Sequence, residues 1–241
     1  MKIAVVTGVS MGIGKAVAKA LLDGGWKVYG VSRTAPIIEN ERFVWLKCDL
    51  AQASDISTNL AIEEANIDLL VSNAGVAFLE AAVDVSVESY RKMYDVNVLA
   101  PMLLVAALKN KIQKSTIITV SSVSDRIMDV DFALYCSSKA ANTRYFETLA
   151  MELKDAKVIS LLPDYIDTPM LRKLQEGTDF DWSQTITVDE MAQLVTGLTE
   201  GTIDLESGSN VIVINDQMLE DLESREKLYG YNTTNNTLIK L

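Results

Sequence analysis

Residues 2–15 read Lys2-Ile3-Ala4-Val5-Val6-Thr7-Gly8-Val9-Ser10-Met11-Gly12-Ile13-Gly14-Lys15: a short apolar run, a glycine-rich turn, and then the spacing of an amphipathic helix that continues through Leu22. An apolar run of this length followed directly by a helix reads as a strand buried on both faces, the first unit of a parallel sheet. Glycines let the backbone turn sharply after the strand and bring amide N–H groups and a helix N-terminus against a pyrophosphate. A glycine-rich turn by itself also fits a plain structural corner. Its place between strand and helix is the context that favours phosphate binding.

The same alternation continues along the chain. Short runs rich in β-branched residues at 2–7, 27–32, 43–47, 67–72, 114–121, 156–162 and 210–214 are separated by stretches with helical periodicity at 12–23, 52–64, 86–110, 132–154 and 188–199. This predicts an α/β fold with one Rossmann-like, doubly wound parallel sheet of about seven strands and helices on both faces. No repeat or Pro/Gly/Ser-rich linker divides the 241 residues, so one domain over 1–241 is expected, with apolar residues, 49% of the chain, sufficient for a full core. Residues 164–187 mix aspartates, Pro169 and Gly177 with Met170, Leu171, Leu174, Phe180 and Trp182, the composition of a flap lined with apolar side chains. Residues 218–241 lie beyond the last strand and read as an appendix.

Composition removes several classes of function. The net charge of −11 disfavours binding to nucleic acid or anionic membranes. Cys48 and Cys136 are far apart and lack metal-like spacing, so neither a disulfide framework nor a metal site is expected, and a reducing, cytoplasmic setting fits. The apolar start, Ile3 to Val6, is too short for a signal-peptide core or a membrane span. The chain contains no histidine, which excludes histidine-based triads and histidine metal ligands, and leaves acid/base work to carboxylate, lysine, cysteine or tyrosine.

Tyr135 and Lys139 stand four residues apart in Tyr135-Cys136-Ser137-Ser138-Lys139 and so share one face of a helix. A nearby ammonium favours the phenolate and is expected to lower the tyrosine pKa toward neutrality. Such a pair also fits an exposed helix edge. Cys136 is read as a small apolar helix residue, since no histidine is present to activate it. At the end of the second strand stand Ser32 and Arg33, with no carboxylate before Glu39. A carboxylate there would bind the ribose hydroxyls of NAD, whereas an arginine can meet the 2′-phosphate of NADP, so NADP(H) is favoured over NAD(H).

Taken together, Gly8-x-x-x-Gly12-x-Gly14, Asp49 after the third strand, Ser72-Asn73-Ala74-Gly75 closing the fourth, Asn97, Ser122 thirteen residues before Tyr135, and Tyr135-x-x-x-Lys139 resemble the short-chain dehydrogenase/reductase family over about residues 1–215. The resemblance implies an NADP(H)-dependent oxidoreductase that interconverts a carbonyl and an alcohol, with Asn97, Ser122, Tyr135 and Lys139 as the catalytic set. In that set Tyr135 exchanges the proton, Ser122 holds the substrate oxygen, Lys139 serves both tyrosine and ribose, and Asn97 anchors a water in the proton path. It further implies cofactor contacts from Gly8, Ser10, Gly12, Ile13 and Gly14, from Ser32 and Arg33, from Asp49 and Leu50, from Asn73, Ala74 and Gly75, and from Pro163, Ile166 and Thr168. A homodimer or homotetramer built on 86–110 and 132–154 follows from the same resemblance. One departure is Pro163-Asp164 where the family has Pro-Gly. A catalytically silent NADP(H)-binding regulator on the same fold is the alternative, although it would not need all four catalytic residues.

Overall fold

The computed structural model describes residues 1–214 together with the strands β8 (Tyr229–Asn232) and β9 (Thr237–Lys240). Seven strands, β1 (Ile3–Thr7), β2 (Lys27–Ser32), β3 (Phe43–Lys47), β4 (Leu69–Ser72), β5 (Thr116–Val120), β6 (Lys157–Pro163) and β7 (Ser209–Val213), form one sheet in the order β3-β2-β1-β4-β5-β6-β7. Every pairing in it is parallel. β8 and β9 pair antiparallel with each other; of the expected appendix, the remainder lies outside the described residues.

Alternation within strands distributes the core. Ala4, Val6, Val71 and Ile118 pack on one side of the sheet with Val17 and Leu21 of α1 (Gly12–Asp23) and Met191 and Val195 of α7 (Val188–Glu200). Val5, Leu70 and Ile117 face the other way, onto Leu104 and Leu108 of α4 (Ala100–Leu108) and Phe146 and Leu149 of α5 (Ala133–Glu152). Helices thus cover both faces, as the uninterrupted apolar strands require. None of the helices among the described residues is long and apolar enough to cross a membrane.

Two helices differ from the sequence expectation. The stretch 52–64 is helical only as α2 (Ala53–Asn59), where Ser57 and Thr58 hydroxyls both bond back to the Ser54 carbonyl. Beyond it the chain turns Ile62 into the core and presents Glu64 to Lys27 at 2.6 Å. The stretch 86–110 is not one α-helix. It comprises α3 (Val87–Tyr94), a π-helical turn at Asp95–Leu99, and α4. Pro101 has no N–H to give to the Asn97 carbonyl four residues earlier, and that carbonyl instead accepts from Asn142 Nδ2 of α5 at 3.0 Å. Widened turns of this kind recur at functional sites.

The order of strands reverses at β1, whose neighbours are β2 and β4, and this opens a crevice at the carboxyl ends of the strands. The first turn of α1 is pressed onto that edge. A Cβ at Gly14 would lie 2.5 Å from the Gly8 carbonyl oxygen, 2.6 Å from Asn73 Nδ2 and 2.8 Å from the Thr7 carbonyl oxygen. Gly14→Ala should therefore lower stability by about 1–3 kcal/mol, as overpacking does, read from urea denaturation followed by circular dichroism. An unchanged midpoint would mean that α1 can lift off the sheet freely.

Candidate active site

The crevice is a cleft of about 580 Å³. Its floor is fixed by Thr7 at the end of β1, whose hydroxyl accepts from the backbone N–H groups of Asn73 at 2.9 Å and Ala74 at 3.0 Å, while Asn73 Nδ2 donates to the Thr7 carbonyl at 2.9 Å. Gly8 and Gly12 sit at φ +77° and +59°, a region that costs other residues strain. The N-cap of α1, Met11, makes no side-chain capping bond, so no side chain of its own satisfies the helix N-terminus beside the cleft. Uncapped amides on a positive helix end form a donor set suited to a pyrophosphate, and a dinucleotide cofactor fits the residues present.

Of the residues singled out in the sequence, Gly8, Ser10, Gly12, Ile13, Ser32, Arg33, Asp49, Leu50, Asn73, Ala74, Gly75, Ser122, Tyr135, Lys139, Pro163, Ile166 and Thr168 all line this cleft. At the β2–β3 end Arg33 is exposed, and the Ser32 hydroxyl donates to the Thr34 carbonyl at 2.8 Å. Asp49 accepts from the Ala51 N–H at 3.1 Å and so shapes the turn that it lines. Gly14 and Asn97 stand behind the wall. Asn97 is buried in the π-helical turn; its Oδ1 accepts from the Val76 N–H at 2.8 Å, and its Nδ2 lies 2.9 Å from the Val76 carbonyl and 3.0 Å from Ser138 Oγ.

The other end of the cleft is built on β5 and α5. Ser122 follows β5 and N-caps a short 3-10 turn, accepting from the Ser124 N–H at 3.2 Å. Tyr135 lines the cleft with Ser122 and stands one turn of α5 before Lys139. Lys139 is buried and donates to the Val120 carbonyl at 3.1 Å. A Cβ at Gly75 would come within 3.3 Å of Asn97 Oδ1 and 3.6 Å of Lys139 Nζ, so the β4 loop, the π turn and α5 meet around this ammonium.

The electrostatics correct one expectation. Burial pushes the Tyr135 hydroxyl up to about 12, with the nearby Ser122 hydroxyl acting in the opposite direction, so the anticipated lowering by Lys139 does not appear. The ammonium lies 5.6 Å from the tyrosine ring centroid, is bonded to Val120, and is itself pushed down to about 8 by burial. Tyr135 is therefore neutral, in its proton-donating form, at physiological pH.

Several supporting residues escaped the sequence reading. Ser138, Asn142 and Thr143 are polar residues on the buried face of α5, legible as an amphipathic anomaly. Asp125 was not separable from its loop. Its side chain is nearly inaccessible and lies 3.3 Å from Arg126; burial raises its pKa, and its charge supports the Lys139 ammonium.

The family model described as short chain dehydrogenase matches residues 2–179. The chain belongs to this family. An uncharacterized oxidoreductase of Saccharomyces cerevisiae is 33% identical over 190 residues, 73% of this chain and 75% of its own. The benzil reductase ((S)-benzoin forming) of Bacillus subtilis is 25% identical over 198 residues, 76% of this chain and 82% of its own. A short chain dehydrogenase family structure from Francisella tularensis superposes with a TM-score of 0.82 at 26% identity, covering 88% of this chain and 97% of that one. Two structures sharing the fold at 23% identity and about 90% coverage are a Brucella melitensis 3-ketoacyl-(acyl-carrier-protein) reductase with NADH, TM-score 0.79, and a Thermococcus sibiricus alcohol dehydrogenase with 5-hydroxy-NADP, TM-score 0.77. The short-chain dehydrogenase described here is thus an oxidoreductase on a fold that takes nicotinamide cofactors.

A buried lysine with a lowered pKa costs stability. Below pH 8 the folded protein must hold a charged ammonium that water would solvate better. Between about 8 and its ordinary 10.5 the unfolded chain binds the extra proton, so this penalty is relieved as pH rises. Lys139→Met should stabilise the protein by about 1–3 kcal/mol at pH 6.5, with the advantage shrinking by pH 9.5, measured by urea unfolding at both pH values. Equal stability of variant and wild type at pH 6.5 would refute the burial argument.

Proposed function

We propose that this short-chain dehydrogenase is an NADP(H)-dependent enzyme interconverting a carbonyl and an alcohol on a small organic substrate, with Tyr135 as the acid/base. The observation that carries the reading is that Tyr135 and Ser122 line one cleft with the buried ammonium of Lys139, which lies 5.6 Å from the tyrosine ring centroid. The cofactor, when bound, supplies or accepts the hydride at the carbonyl carbon.

The chain's own residues do the rest. Gly8, Ser10, Gly12 and Ile13 with the α1 N-terminus would hold the pyrophosphate, and Asp49 and Leu50 the adenosine side. Arg33 would pair with a 2′-phosphate, which a carboxylate at the end of β2 would repel. Asn73, Ala74, Gly75, Pro163, Ile166 and Thr168 would flank the nicotinamide side. Ser122 holds the substrate oxygen beside the Tyr135 hydroxyl, which donates its proton as negative charge builds on that oxygen. Lys139 would hold the nicotinamide ribose, and Asn97 keeps Val76 and Ser138 in place behind it. The carbonyl-reducing name of the Bacillus subtilis relative supports the reaction class.

Tyr135→Phe should reduce turnover by about two to four orders of magnitude while leaving NADPH affinity nearly unchanged, since it removes only the proton donor. Arg33→Ala should weaken NADPH binding and spare NADH. Both are read from fluorescence titrations of the two cofactors beside steady-state rates. Retention of more than about a tenth of wild-type turnover by the tyrosine variant would exclude Tyr135 as the acid, and equal loss of both cofactors in the arginine variant would remove the basis for NADP(H).

Self-association belongs to the same proposal. Val87, Tyr90, Leu99 and Met151, on α3, the π turn and α5, are large exposed apolar side chains. Sedimentation should give a dimer or tetramer rather than a 26.5 kDa monomer; a monomer at micromolar concentration would contradict it.

A further inference from the structure

We infer that the substrate is an uncharged carbonyl compound carrying an aryl or similarly bulky apolar group, and that the cleft selects against anionic carbonyl compounds; this rests on the oxidoreductase reading above. The wall beyond Tyr135 and Ser122 comes from the loop before α5 and from α6 (Pro169–Leu174). Phe132, Tyr165, Met170, Leu171 and Leu174 line it. Its base is closed by main-chain bonds from Asp167 N–H to the Ile186 carbonyl and from Ile186 N–H to the Tyr165 carbonyl, each at 2.9 Å. Behind it Phe180 stacks edge-on between Tyr165 and Trp182, with centroid separations of 5.0 and 4.9 Å. A fixed apolar wall of this kind favours a rigid apolar group over a short polar one.

Charge at this end points the same way. Besides the buried Lys139, the ionisable side chains lining it, among the described residues, are Asp129, Tyr135, Tyr165 and Asp164. The cations of α6 do not line the cleft. Arg172 is held by both oxygens of Asp167 at 2.7 Å and lies over the Trp182 ring at 4.7 Å. Arg33 stands at the opposite end, after β2. Among the described residues no arginine fork lines this end to receive a carboxylate or phosphate on the substrate, and two of the side chains that do line it are acidic.

Three ketones that share one reaction separate these claims: methyl benzoylformate, its free acid benzoylformate, and methyl pyruvate. In each a C–H bond forms at the ketone carbon from the hydride of the reduced cofactor, the ketone oxygen takes the Tyr135 proton, and the cofactor is left oxidised. With NADPH, kcat/KM for methyl benzoylformate should exceed that of each other compound by at least about tenfold. Asp129→Asn with Asp164→Asn should narrow the gap between ester and acid, and so should added salt on the wild-type enzyme, which separates charge from the intrinsic reactivity of the ketone. Leu174→Ala should narrow the gap between aryl and methyl esters through KM. Parity of benzoylformate with its ester, or a gap indifferent to both salt and the asparagine substitutions, overturns the selection against anions; parity of methyl pyruvate overturns the apolar wall. Failure to reduce any of the three by an enzyme that binds NADPH overturns the oxidoreductase reading together with the inference.

Discussion

The clasp between Thr7 and Asn73 is the constraint on which the cleft depends. One threonine hydroxyl accepts two backbone N–H groups from the end of β4, and one asparagine amide returns a bond to the end of β1. These strands are neighbours at the point where the winding order reverses, so the clasp fixes the separation of the two loops that form the cleft floor. The glycines follow from it. A side chain at Gly14 would strike the clasp itself, and one at Gly8 would meet Asn73 Nδ2 at 2.7 Å.

The second half of the site is polar inside an apolar shell, and its asparagines, Asn97 and Asn142, are bonded on both side-chain atoms. The missing N–H of Pro101 opens the helix at the π turn, Asn142 takes up the released carbonyl and also accepts from Thr119, and Asn97 reaches across to Val76 and Ser138. Buried polar networks that are fully bonded give a unique geometry, and those left half-bonded are costly. Lys139 is the expensive member. Its ammonium loses solvation in exchange for a carbonyl bond and the more distant charge of Asp125. A cation maintained at such a cost beside a neutral tyrosine is an arrangement suited to proton transfer rather than to folding.

The fold was legible because its signals are local and repeated. All seven strands and α1 followed from apolar runs and their spacing, and α5 and α7 from helical periodicity. Helix 86–110 was read as continuous since its periodicity is intact on both sides of Asp95–Leu99; the break comes from a proline that is harmless near a helix start and from a partner 41 positions downstream of it, which no local window contains. The motif residues were brought to one cleft, with Gly14 and Asn97 just behind it. The lowered tyrosine pKa was misjudged because spacing places an ammonium near a phenol but says nothing of how deeply each is buried. The charge of the substrate end was equally hidden, since it depends on which of the many aspartates and basic residues face inward.

The central claim is that one cleft passes a hydride between a nicotinamide and a carbonyl carbon while a protein group handles the proton. NADPH deuterated at the transferable position of carbon 4, incubated with the enzyme and a reducible ketone, tests it directly. The account predicts one deuterium per product molecule on the carbinol carbon, with none arriving there from D2O when unlabelled cofactor is used. Solvent deuterium on that carbon, or product carrying no cofactor label, would contradict it.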